Sequence, residues 1–185
     1  GYRRKAESTK KKSKHNGHYD TPKELGKKWQ MDVKYVPSAC YAGEDGEKFY
    51  QYTMLEEASR KRFIYAYRET GGYSTCDFVK RAIIWFGYAP DIIQTDNGGE
   101  FTHTKKTKRI HPFDSLCAEL HITHKLIRPR TPWHNGKVER SHRNDQERFY
   151  NHLSFYSYED LQIQMKRYLY RSNNIPMAVL GWKSP

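Results

Sequence analysis

Trp29-Gln30-Met31-Asp32-Val33-Lys34-Tyr35 alternates apolar and polar side chains along its whole length. A two-residue period belongs to a β-strand and not to a helix, so Trp29, Met31, Val33 and Tyr35 take one face and Gln30, Asp32 and Lys34 the other. Asp32 therefore points away from the apolar side, in a kind of position where Asp is disfavoured. An acid there is either a plain solvent-facing strand residue or one placed for chemistry.

The remaining pattern surrounds that strand with others. Residues 42–48 are turn-rich, and 49–55 and 62–67 read as two further strands joined near Ser59-Arg60, the simplest arrangement being an antiparallel meander. Ser74 and Asp77 have capping-box spacing ahead of Phe78, Val79, Ala82, Ile83 and Phe86, with Gly87 as the stop. After Pro90 come a short strand at 91–95, a helix at 113–120 and a strand at 122–127. A helix from Asn135 to about residue 153 puts Lys137, Arg140, Asn144 and Arg148 on one polar stripe, with Val138, Phe149 and Leu153 as its apolar contacts. Ser157 and Asp160 cap a last helix in which Tyr158, Leu161, Met165, Tyr168 and Ser172 are spaced as core.

Charge points to the partner. The 185 residues suit one domain, and a net charge of +12 with a pI near 9.5 favours a polyanion. Residues 1–16 hold seven Lys and Arg against one Glu, half of that net charge, so 1–20 reads as a basic flexible leader or interdomain linker ahead of a core at 21–185. Three widely spaced cysteines, Cys40, Cys76 and Cys117, make no disulfide framework, which points to a reducing cytosol. Nothing approaches the roughly 18 apolar residues that span a bilayer, so no membrane partner is expected. A chain that opens on Gly1 and closes on Pro185 reads as a fragment of a longer protein.

Asp32 is one of three acids in distinctive surroundings. The others are Asp96, in Ile92-Ile93-Gln94-Thr95-Asp96-Asn97-Gly98-Gly99-Glu100-Phe101, and Glu139, in Asn135-Gly136-Lys137-Val138-Glu139-Arg140. Taken singly, Asp96 would be an Asx turn and Glu139 a surface partner of Arg143 one helical turn on. Taken in order, they resemble the catalytic blocks of the integrase and transposase superfamily with the DDE triad, closer to the integrase-like bacterial insertion-sequence transposases than to retroviral integrases. The 42 residues between Asp96 and Glu139 exceed the retroviral spacing, and the polar run 103–110 is where the surplus sits.

The resemblance implies an α/β ribonuclease H-like fold, a mixed five-stranded sheet flanked by helices, which is also the order of elements read above. It implies that Asp32, Asp96 and Glu139 are both catalytic residues and metal ligands, holding Mg²⁺, or Mn²⁺ as substitute, with two ions in the DNA-bound state. The partners it implies are DNA, as mobile-element ends and target, and further copies of the chain in a synaptic homo-oligomer. The setting is the bacterial cytoplasm, at the nucleoid. Cleavage and 3′-hydroxyl strand transfer follow as the activity, with a nuclease that does not join, or a domesticated DNA-binding protein, as the alternatives.

Other residues take lesser expected roles. Lys105, Lys106, Lys137, Arg140 and Arg143 are candidate DNA contacts, and Trp133 is a candidate for stacking on an unpaired base. Asn97 and Glu100 are expected to support the Asp96 loop, and His124 either to brace the site or to touch the scissile phosphate. Asn135 is expected to cap the Glu139 helix, and His142 and Gln146 to lie beside Glu139. Cys117, His121 and His124 supply too few ligands for a structural zinc.

Overall fold

The computed structural model describes residues 21–44, 46–128 and 132–185, so the basic leader lies outside the described residues. Strands β1 (Lys28–Tyr35), β2 (Tyr50–Glu56) and β3 (Arg62–Tyr67) form the expected antiparallel meander. Its register sets Met31 opposite Met54 and Met54 opposite Phe63, an apolar row across three strands. Helix α1 (Gly72–Phe86) leads to β4 (Ile92–Thr95), and α2 (Pro112–Glu119) to β5 (Thr123–Leu126). Both later strands run parallel to their neighbours, giving one mixed sheet of order β3-β2-β1-β4-β5. Helices α3 (Gly136–Arg148) and α4 (Tyr158–Asn173) close the chain.

Alternation along the strands decides which helix covers which face. Trp29, Met31, Met54 and Phe63 meet α1, where Phe78 stacks on Phe63 at 5.5 Å and Phe86 packs on Trp29 at 4.4 Å. Burying such aromatic rings contributes on the order of 2–3 kcal/mol each. The opposite face, bearing Gln30, Asp32, Gln51, Thr53 and Arg62, is covered by α3 and α4 through polar contacts. Beneath α3, both faces of the sheet are thus buried: Gln30, Gln51 and Thr53 are as inaccessible as Trp29.

Two expected boundaries move. The Ser74/Asp77 capping box does not form, because α1 starts two residues earlier at Gly72 and Ser74 is already buried inside it. Asp77 instead accepts from the Tyr67 hydroxyl and the Arg81 guanidinium, both at 2.6 Å. The Glu139 helix stops at Arg148 and not near residue 153, since Phe149 leaves helical geometry at φ −128° and stacks on Tyr168 at 4.5 Å. Gly87 ends α1 as expected, in the left-handed region at φ 82°, and Ser157 caps α4 by accepting from the Asp160 amide at 3.1 Å.

Candidate active site

Two adjacent parallel strands position two carboxylates. Gln30 of β1 pairs with Gln94 of β4, so the next residues on that face are Asp32 and, just past the end of β4, Asp96. Neighbouring strands lie about 4.8 Å apart, which brings the two acids within mutual reach on the face covered by α3. Asp96 also forms an Asx turn, accepting from the Gly98 amide at 2.9 Å. Glu139 stands in the first turn of α3 and is exposed.

The electrostatics show that Asp32 feels the other acids. Burial first, then the negative charge of Asp96, push the Asp32 carboxyl up to about 7, with Glu139 and Glu100 adding to the rise and the Val33 amide opposing it. His142 places Nδ1 3.4 Å from Asp32 Oδ2 and Nε2 2.9 Å from Thr53 Oγ1. Burial drops that imidazole to about 4, so it is neutral near pH 7 and bridges Asp32 to β2 without pairing as an ion. Among the described residues no three His, Cys, Asp or Glu side chains converge closely enough to enclose a metal ion. As a donor set, Asp32, Asp96 and Glu139 nonetheless fit a hard divalent cation: all are carboxylates, all add to one negative field, and a site that keeps positions open for substrate is not a closed cage.

The surrounding residues hold backbone more than they face solvent. The side chain of His124 is nearly covered, its Nδ1 2.6 Å from Asp114 Oδ1 on α2 and its Nε2 2.9 Å from Thr95 Oγ1 on β4, and so braces the residue before Asp96. Asn97 donates to the Ile127 carbonyl at 3.2 Å, tying the ends of β4 and β5 together. The Glu100 carbonyl accepts from Thr75 on α1 at 2.9 Å. Asn135 precedes α3 but its side chain makes no cap, which corrects the expectation: its Nδ2 reaches instead toward the Met31 carbonyl at 3.5 Å.

The cap comes from the sheet. Gln30 Oε1 accepts from the Val138 amide at 3.0 Å, and the amide nitrogens of Gln30 and Gln94 donate to the His134 carbonyl at 2.9 and 2.7 Å. Sequence reasoning passed over both glutamines, although the repeat Gln30-Met31-Asp32 and Gln94-Thr95-Asp96 was a usable signal. The two glutamines seat the helix that carries Glu139, and Asp32 meets that helix through His142. Missed as well was a chain of buried side chains behind Asp32. It runs from His142 through Thr53 to Gln51, at 2.8 Å, then to Asp145, at 2.8 Å, and to Arg62, at 2.6 Å.

The candidate DNA contacts fall on different surfaces. Lys105 and Lys106 are exposed in the loop after Asp96, and Arg143 is exposed one turn beyond Glu139. Lys137, in contrast, is half-buried, ion-paired with Glu57 and donating to Thr21 at 2.9 Å. Arg140 shares its stripe, on the side of α3 turned away from Glu139. The side chain of Trp133 lies outside the described residues.

Residues 22–132 match a family model described as Integrase core domain, and residues 120–185 match a second model of the same description. The chain is 30% identical over 173 residues to "Putative integrase ORF3" of Spiroplasma virus SpV1-C74, a match covering 86% of this chain and 46% of that protein. The chain thus spans about half the length of that curated relative. Among solved structures it is similar to a chain of the simian T-cell lymphotropic virus intasome in complex with a PP2A regulatory subunit, with a TM-score of 0.67, 18% identity, and coverage of 91% of this chain and 55% of that one. It is also similar to the HTLV-2 integrase catalytic core domain in complex with magnesium, with a TM-score of 0.62, 19% identity, and coverage of 86% and 93%. At such identities the structural likeness bears on the fold alone, which is ribonuclease H-like as expected. With both family matches, which together run from residue 22 to the last residue, the chain belongs to the integrase core domain family.

Proposed function

We propose that this domain is a DDE-type polynucleotidyl transferase that cleaves DNA at the ends of a mobile element and joins the resulting 3′-hydroxyl to target DNA. The observation that carries the reading is geometric: Asp32 and Asp96 follow paired positions on adjacent parallel strands, beside the helix that bears Glu139, and burial together with the charge of Asp96 pushes the Asp32 carboxyl up to about 7. A binding protein gains nothing from acids gathered where DNA phosphates would lie, whereas a phosphoryl-transfer site requires them.

Asp32, Asp96 and Glu139 would hold Mg²⁺ or Mn²⁺, two ions when DNA is bound, and the ions would supply activation of the attacking oxygen and stabilisation of the leaving one. The chain's own part is positional. Gln30 and Gln94 fix the start of α3 and so the approach of Glu139, His142 orients Asp32, and the Asp114–His124–Thr95 contacts steady the strand end before Asp96. Lys105, Lys106 and Arg143, all exposed, are assigned to phosphate contacts, with Trp133 assigned to base stacking. The reading extends to a synaptic homo-oligomer working at the nucleoid in a bacterial cytoplasm.

The test is strand transfer by Asp32→Asn, Asp96→Asn and Glu139→Gln proteins on end-sequence DNA with Mg²⁺. Each amide keeps its size and loses its charge, so cleavage and joining should both fall about a thousandfold, equivalent to ~4 kcal/mol of transition-state stabilisation, with DNA binding kept. Joining by the Asp96→Asn protein at the wild-type rate would overturn the assignment. A substrate lacking the 3′-hydroxyl separates a joining enzyme from a nuclease that only cuts.

A further inference from the structure

The basic stripe of α3 has a cleft of its own. A cavity of about 670 Å³ opens on the side of the helix away from Glu139, bounded by α3, the turn between β2 and β3, and the segment after α4. Lys137, Arg140, Asn144 and Arg148 form one wall, with Arg60 and Arg62 on another. The acids nearby are already engaged: Glu57 is shared by Lys28 and Lys137, and Asp145 is buried against Arg62. Arg140 and Arg148 are exposed and have no ion-pair partner among the described residues.

The cavity is not cationic throughout. Leu55, Ile175, Pro176 and Met177 give it an apolar side. A site with arginines on one side and apolar side chains on the other suits a ligand built the same way, and its volume lies within the range of small-molecule sites. We propose that this cleft binds a nucleotide unit, its phosphate held by Arg140 and Arg148 and its base laid against Pro176 and Met177. The unit is either a free nucleotide or one member of a single strand. This assignment is independent of the carboxylate site, since none of Asp32, Asp96 and Glu139 lines the cleft.

Calorimetric titration of the 185-residue chain with AMP, in the presence of EDTA, tests it. EDTA removes any metal-mediated phosphate binding at the acids. AMP should bind, adenosine and inorganic phosphate should each bind at least tenfold more weakly, and Asp96→Asn should bind AMP as the wild type does. Arg140→Glu and Arg148→Glu should each weaken AMP at least tenfold. Both side chains are exposed, and Arg148→Gln, which removes a charge without reversing it, provides the same reading should a Glu variant lower the melting temperature. A single-stranded tetranucleotide that binds tighter than AMP, with the same arginine dependence, assigns the cleft to a DNA strand; equal affinity assigns it to a free nucleotide. Absence of binding by AMP and the tetranucleotide overturns the proposal. So does undiminished binding in the arginine variants, loss in Asp96→Asn, or equal competition by an acidic peptide.

Discussion

Asp145 is a buried acid on which several buried groups depend. It is fully inaccessible, pairs with Arg62 at 2.6 Å, and accepts from Gln51 and Tyr168, each at 2.8 Å. Burial works against the Arg62 charge, but Asp145 and Tyr168 together outweigh it and keep the guanidinium a firm cation. Asp145→Asn should therefore lower stability by about 3–5 kcal/mol, read from the urea midpoint, because it strands a buried cation. Adding Arg62→Met should recover part of the loss; no recovery would assign the cost to the hydrogen bonds of Gln51 and Tyr168 instead. Cys117 makes a second residue-level test. Burial first, and then the charge of Asp114, push its thiol up to about 12, and Cys40 is also buried and raised. With so little thiolate, iodoacetamide at pH 8 should label Cys117 only as fast as the fold opens, and promptly in denaturant. Prompt labelling of the native protein would contradict that.

At the scale of elements, the start of α3 hangs on a side chain from β1. Gln30→Ala should cost about 2 kcal/mol: it removes the cap at Val138, while the His134 carbonyl keeps its bond from Gln94. Faster hydrogen exchange at the Val138 amide would report the frayed turn, and an unchanged rate would mean that the cap is not holding it. This dependence also explains what the sequence let one read. Strands, stops and the α4 cap are local, so alternation, Gly87 and Ser157 announce them. The cap of α3 joins residues 108 apart, and no window around Asn135 contains it. Ser74 misled for a related reason, since a helix that gains buried contacts with the sheet extends past a local cap signal. The acids themselves were legible because their neighbours carry a family pattern, whereas the buried Gln51–Asp145–Arg62 chain is dispersed over three elements.

The whole molecule brings these separated pieces to one face of one sheet, and a metal should report that assembly. Mg²⁺ or Mn²⁺ should raise the melting temperature of the wild type, by an amount equal to about 2.7 kcal/mol when the ion is at 100 times its dissociation constant. A bound cation offsets both the burial and the Asp96 charge that lift Asp32, and Asp96→Asn removes one of its ligands, so that variant should lose most of the shift. Equal shifts in both proteins would put the ion elsewhere. The order in which the pieces arise along the chain has its own consequence. A polypeptide made from its amino end can lay down all five strands before α3 exists, yet Gln30 and Gln94 then have neither Val138 nor His134 to bind. Under the proposed assignment such an unfinished chain carries Asp32 and Asp96 but not Glu139, so a nascent or prematurely terminated product is harmless to the DNA around it until the last part of the domain has been synthesised.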